Sequence, residues 1–239
     1  EKEQKFNLFT GDFLNKLCGY PTRSDISEAI LSEIRSSAKN YIKDMNSFSD
    51  IVQAYLDAVV DTKKNLVRQI KENFEYRYNI DLEVYRNIIN SKYFETIFTI
   101  NFDGILENNF SDKIEKITPY EMKEISDNKI GYYKFLGDIA SIGTVFISSQ
   151  DIRKLKTLDF YTEFFQKVRE QFTLRPTLFL GVNLEDSDLL NILDFILTPI
   201  KDLQSIYMVT STTIISSKSA ELISKYNIKL ITSGTKDFI

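Results

Sequence analysis

The chain has 239 residues, 43% of them apolar and 27% charged, the balance of a folded domain rather than a disordered tail. It holds no histidine and one cysteine, Cys18, which excludes His/Cys zinc sites, Cys–His and Ser–His nucleophile pairs and any disulfide framework, and no metal is expected. The net charge of -4 gives no overall attraction for nucleic acid, and no apolar run reaches the ~18–20 residues of a membrane span.

In chain order, short apolar runs predict strands at Phe6–Thr10, Thr96–Ile100, Tyr132–Leu136, Thr177–Leu180, Ser205–Thr210 and Ile228–Thr232. Amphipathic segments lie between several of them, the alternation of a doubly wound, Rossmann-like parallel sheet of about six strands. Asp25-Ile26-Ser27-Glu28 resembles a capping box ahead of an apolar stripe through Ile26, Ile30, Leu31 and Ile34. Residues 38–92 break the alternation: Ile51, Tyr55, Leu56, Val59 and Val60, then Leu66, Ile70 and Phe74, repeat at helical spacing. They predict an inserted small helical domain within a discontinuous main domain, 1–37 and 93–239. The polar stretch Asp112–Asn128 is expected to be a short helical excursion. Thr157–Phe172 is an amphipathic segment whose apolar face packs either within the chain or in a subunit interface. Asp186 is expected to cap a helix through Leu189, Leu190, Leu193 and Ile196 that stops at Pro199, and Ala220–Tyr226 to form a short helix.

Ligands of open parallel sheets bind beyond the carboxyl ends of the strands, and four such places carry polar or glycine residues. Gly11-Asp12-Phe13-Leu14-Asn15, with Gly19-Tyr20-Pro21-Thr22 after it, is either a phosphate-holding turn or an ordinary βα turn. In a G-x-G turn the second glycine would stand at Phe13, whose ring would meet the approaching pyrophosphate. In Thr99-Ile100-Asn101-Phe102-Asp103, Asn101 either bonds a sugar hydroxyl or water or satisfies the turn, and Asp103 either accepts from a ligand or caps the next helix. Lys134-Phe135-Leu136-Gly137-Asp138 ends on an inert leucine. Gly181-Val182-Asn183 permits backbone approach and offers an amide, or is a plain strand-to-helix turn.

Taken in this order, the four resemble sirtuin-like domains, most of all the bacterial subgroup in antiphage-defence proteins of the Thoeris-effector type. The family's G-A-G-x-S and G-[I/Y]-P-[S/T]-[W/F] motifs correspond to Gly11–Asn15 and Gly19–Arg23. Its T-x-N-[Y/F]-D is Thr99–Asp103, its [L/M]-H-G-D ends as Leu136-Gly137-Asp138, and its G-[F/Y]-S-x-x-D-x-x-L runs from Gly181 to Leu189. The resemblance implies a fold that binds NAD and breaks the nicotinamide–ribose bond. By it, Asn101 would position ribose or water and Asp103 would support the site. Gly11, Asp12, Phe13, Asn15, Pro21, Thr22, Gly181 and Asn183, with Asn101 and Asp103, would line a site for NAD or an ADP-ribose-like nucleotide.

The departures fall on the site itself. Leu136 stands where the family has its catalytic His, Phe13 at the phosphate-loop glycine, Asn15 at the loop Ser, Arg23 at the aromatic after the proline and Asn183 at the later Ser. Loss of a positioned base costs ~10²–10⁴ in rate. The expectation is a catalytically impaired module, leaving Asn101 and Asp103 vestigial. The alternatives are an NAD glycohydrolase working without His and a nucleotide sensor that does not cleave its ligand. A start on Glu1 without Met suggests excision from a longer protein, so other domains of that chain are expected partners, with a homo-oligomer possible in principle and neither membrane nor nucleic acid expected. A lone cysteine and a charged first segment suit the cytoplasm.

Overall fold

β-Branched and aromatic residues dominate the strand segments, and most strands are followed by a turn and a helix before the chain returns to the sheet. In the computed structural model, which describes residues 4–33, 42, 45, 47–59, 62–75, 80–211 and 216–239, this repetition builds one seven-stranded sheet. The strands are β1 (Phe6–Thr10), β2 (Phe94–Thr99), β3 (Ile114–Ile117), β4 (Ile130–Lys134), β5 (Thr177–Leu180), β6 (Ile206–Thr210) and β7 (Lys229–Thr232). Their order is β3-β4-β2-β1-β5-β6-β7, and every pairing is parallel.

The helices are α1 (Asp12–Leu17), α2 (Arg23–Glu33), α3 (Phe48–Ala58), α4 (Lys63–Glu75), α5 (Glu83–Asn90), α6 (Ile105–Phe110), α7 (Ser149–Lys154), α8 (Asp159–Leu174), α9 (Ser187–Leu197), α10 (Ser217–Lys225) and α11 (Thr235–Phe238). The aromatic face of the sheet (Phe9, Phe98, Tyr133 and Phe179) packs on α8 and α9. Phe98 stacks on Phe172 with ring centroids 5.1 Å apart and 7° between planes. The opposite face, through Leu8, Ile97, Tyr132 and Val209, shares a core with Leu14 of α1 and with Tyr85, Ile88 and Ile89 of α5. A third core joins α2, α3 and α4 to Phe102, Ile139, Val145 and Ile147, the loops after β2 and β4.

Several sequence expectations are corrected. Within Asp112–Asn128 the chain forms the edge strand β3, paired with β4, instead of a helical excursion; it adds one strand to the expected parallel sheet of about six. Only Ile114 and Ile117 of its four residues are buried, too short a run to show a period of two. Leu136 lies beyond β4, which ends at Lys134. The cap of α2 is Thr22 rather than the Asp25–Glu28 pair. Thr22 Oγ1 accepts from Asp25 N at 3.1 Å, and Asp25 Oδ2 accepts from Thr22 N at 2.8 Å. The helix expected at Ala220–Tyr226 starts at Ser217 behind an Ser216 cap. The apolar face of α8 (Tyr161, Phe164, Phe165, Val168, Phe172) is buried inside the chain, which settles that stripe as core. Val60 and Ile34, counted above in helical stripes, lie outside the described residues.

Because Phe98 is fully buried between sheet and α8, Phe98→Ala is expected to cost about 3–5 kcal/mol in denaturant unfolding. Leu230→Ala, on a side chain 42% exposed, should stay within about 0.5 kcal/mol. Equal losses at the two positions would contradict this placement of the core.

Candidate functional site

Connections leave β1 toward β2 on one side and come back to β5 on the other, so the carboxyl edge between β1 and β5 is the topological switch point of the sheet. Two glycine turns meet there. Gly11 N donates to Leu180 O at 3.0 Å, and a Cβ on Gly11 would run into the Gly181 carbonyl oxygen. Gly181 itself has φ +66°, with Leu14 against the place of its missing side chain. Close backbone approach and a left-handed turn therefore require both glycines.

Beyond these turns opens a cleft of about 740 Å³. Of the residues singled out from sequence, Asp12, Phe13, Thr22, Gly181 and Asn183 line it. Asn15, Pro21, Asn101 and Asp103 do not reach it. They line, with Asp12, a second and much narrower cavity, about 10 Å³ against about 740 Å³ for the cleft. Arg23 lines both.

Arg23 is the residue that sequence reasoning recorded only as a departure. Its side chain is drawn inward: the residue is 7% exposed, Nη1 donates to Asp186 Oδ2 at 2.7 Å, and Nη2 lies 3.6 Å from Asp188 Oδ2. The guanidinium carbon sits 4.8 Å from the centroid of the Phe48 ring. Its backbone N donates to Asp12 Oδ2 at 2.8 Å. Burial pulls the Arg23 pKa down, but the carboxylates of Asp186, Asp188 and Asp12 outweigh it and hold the group above the ordinary arginine range. Asp12 is pushed up by burial, against the Arg23 backbone bond and charge. Asp188 also accepts from Ser47 Oγ (3.1 Å), Ser49 N (3.0 Å) and Ser49 Oγ (2.6 Å), tying α9 to the start of α3. A charge next to a proline loop, with two carboxylates two residues apart at a helix start, was the available signal for this cluster.

In the small cavity the candidate polar groups are turned to one another. Asn15 Nδ2 donates to Asp103 Oδ2 at 2.7 Å, Tyr85 Oη donates to Asn15 Oδ1 at 2.7 Å, and Ile105 N donates to Asp103 Oδ1 at 2.9 Å. Burial and the Asp103 charge raise Tyr85 well above the ordinary tyrosine range. Asn101 is 6% exposed; its backbone N donates to Thr99 Oγ1 at 3.0 Å, and its Oδ1 has no hydrogen-bond partner among the described residues, nor do Nε and Nη2 of Arg23.

Leu136 lines neither space. It is fully buried in the aromatic core, its carbonyl accepting from Phe146 N at 2.9 Å. Asp138, two residues on, bonds Lys116 and Ala140 N and lies 3.3 Å from the buried Lys134 ammonium. Burial raises the Asp138 pKa, but the Lys134 charge and the Lys116 hydrogen bond win and hold it below the ordinary carboxylate value. Lys134 also bonds Glu107 Oε1 at 2.5 Å and the Asp103 carbonyl. Asp138 is thus a saturated acceptor rather than a free base. Among the described residues, no group of three or more His, Cys, Asp or Glu is placed to hold a metal ion, and no described helix is long and apolar enough to cross a membrane.

An all-parallel α/β sheet with a polar cleft at its switch point belongs to the Rossmann-like class of folds. A model of the SIR2-like domain matches residues 95–231, more than half of the chain, and the chain belongs to that family. SIR2-like domains bind NAD-related nucleotides, and the match supports a sirtuin-like nucleotide-binding module. The matched span contains the segments 99–103, 136–138 and 181–189, whereas the first turn and Arg23 lie before it. No curated protein matches the chain.

Removing Asp188 leaves Arg23 and both serines short of a partner, so Asp188→Ala is expected to cost about 3–5 kcal/mol in denaturant unfolding. Asp12 has a raised folded pKa, so its ionised form costs stability above that pKa and the cost disappears as pH falls below the unfolded value. Asp12→Asn should therefore raise the denaturation midpoint at about pH 7 and change it little at about pH 3. The opposite pH trend would contradict the burial cost assigned to Asp12.

Proposed function

We propose that the chain is a catalytically silent SIR2-like module that keeps a nucleotide-type cleft and acts as a binding or assembly part of a longer, cytoplasmic protein of the bacterial antiphage-defence type its motifs resemble. The observation that carries this reading is the separation of the candidate groups. Arg23 stands between the cleft and Asn101, and Leu136 is sealed in the core. A ligand in the cleft would meet no histidine, and Asp103 and Asp138 are already bonded to protein donors. Cleavage of an N-glycosidic bond needs a group that reaches the ribose or its attacking water. The place beside Asn101 is narrow, about 10 Å³ against about 740 Å³ for the cleft, which favours a ligand held in the cleft away from Asn101. The open cleft favours binding without cleavage.

Nicotinamide release during incubation of the purified chain with NAD tests this directly. Release should stay at the level of buffer alone, both for the natural chain and for Leu136→His, since position 136 does not border the cleft. Turnover by the natural chain that Asn101→Ala abolishes would overturn the proposal in favour of a glycohydrolase working without His.

A further inference from the structure

Central strands of a parallel sheet are ordinarily covered on both faces. On the face that packs against α5, Leu8 of β1 and Ile97 of β2 are fully buried. Further along the same face the cover fails: Leu178 of β5, Tyr207 of β6 and Ile231 of β7 are only half-buried. The helix that follows β7, α11, has four residues and is too short to close this part of the sheet. What remains is a cavity of about 490 Å³, floored by those three side chains, to which Ile88 of α5 and Phe238 of α11 contribute walls.

Its chemistry is the reverse of the cleft's. Among the described residues none with a charged side chain lines it, in a chain of which 27% is charged. A charge drawn inside would lose its hydration without gaining a counter-charge, so the body of a fitting ligand is apolar, and the volume is that of a small-molecule site. One cation stands beside the lining. The Lys229 ammonium lies 5.1 Å from the centroid of the Tyr207 ring and donates to Ser205 Oγ at 3.2 Å, a partner that carries no charge. Lys229 is exposed, so its ammonium can meet an anion without first being desolvated.

We propose that this cavity binds one molecule of a free long-chain carboxylate, its hydrocarbon chain over Leu178, Tyr207 and Ile231 and its carboxylate beside Lys229. A half-buried stretch of parallel sheet supplies the apolar surface, and a lysine at the Tyr207 ring supplies the one charge. The cavity shares no lining residue with the cleft, so the proposal is independent of what the cleft holds.

Fluorescence titration of the full chain with cis-parinaric acid, kept below its micelle concentration, tests this. One molecule is expected to bind per chain. Octanoate, decanoate and dodecanoate should displace it in rising order, each pair of added methylenes tightening competition about tenfold. Dodecyltrimethylammonium should compete about tenfold less well than dodecanoate. Lys229→Glu should weaken dodecanoate about fivefold at low salt and leave dodecanol unchanged. Leu178→Trp, which puts an indole into the cavity, should abolish binding of the probe, and Ile231→Trp on the edge strand β7 gives the same reading where Leu178→Trp folds poorly. No saturable binding, binding that survives the tryptophan variants, or a cation that competes as well as the carboxylate would each overturn the proposal. Pelleting of the chain with phosphatidylglycerol vesicles in place of one-to-one binding would also overturn it, in favour of a membrane surface.

Discussion

The Arg23 guanidinium between Asp186 and Asp188 is the constraint on which the site depends. It joins the first residue of α2 to the start of α9, and through Asp188 to Ser47 and Ser49 at the start of α3. Three elements far apart in sequence are thus fixed at the switch point by one cation and two carboxylates. A buried ion pair of this kind adds little net stability over apolar packing, since desolvation opposes attraction, but leaving one partner unpaired is costly. Its stronger effect is positional. With the guanidinium held over Phe48, Arg23 lines both the wide cleft and the narrow cavity beside Asn101.

Much of the fold was legible because it rests on short-range pattern. Strands β1 and β5 coincide with apolar runs between turns, and Asp186 caps α9 through its own side chain. The errors have separate causes. Strand β3 is an edge strand whose Lys116 is drawn inward by Asp138, so its middle reads as polar surface. Thr22 caps α2 in place of Asp25 because the threonine hydroxyl and the Asp25 carboxylate bond each other's backbone N–H, a choice that two adjacent capping-box patterns leave open.

The site was legible in identity but not in partnership. Asn101 and Asp103 were recognisable as polar residues beyond a strand end, and Asn15 as the polar residue closing the turn after the first strand. That Asn15 would bridge Asp103 to Tyr85 depends on α5, an element about 70 residues further along the chain. Likewise nothing local to Arg23 indicates that its counter-charges lie at 186 and 188. Long-range pairing decides whether a polar residue serves a ligand or serves the fold, and periodicity carries no information about it.

Gly11 and Gly181 show how a motif can outlast the chemistry it suggests. Both are demanded by packing alone: a Cβ on Gly11 meets the Gly181 carbonyl, and Gly181 holds a left-handed φ with Leu14 pressed against it. The same close approach that would let backbone cradle a pyrophosphate here lets one turn hydrogen-bond the other, through Gly11 N to Leu180 O and Phe13 N to Gly181 O. Glycines at a switch point therefore report that two turns are in contact. The side chains around them at the cleft are Asp12, Phe13, Arg23 and Asp186.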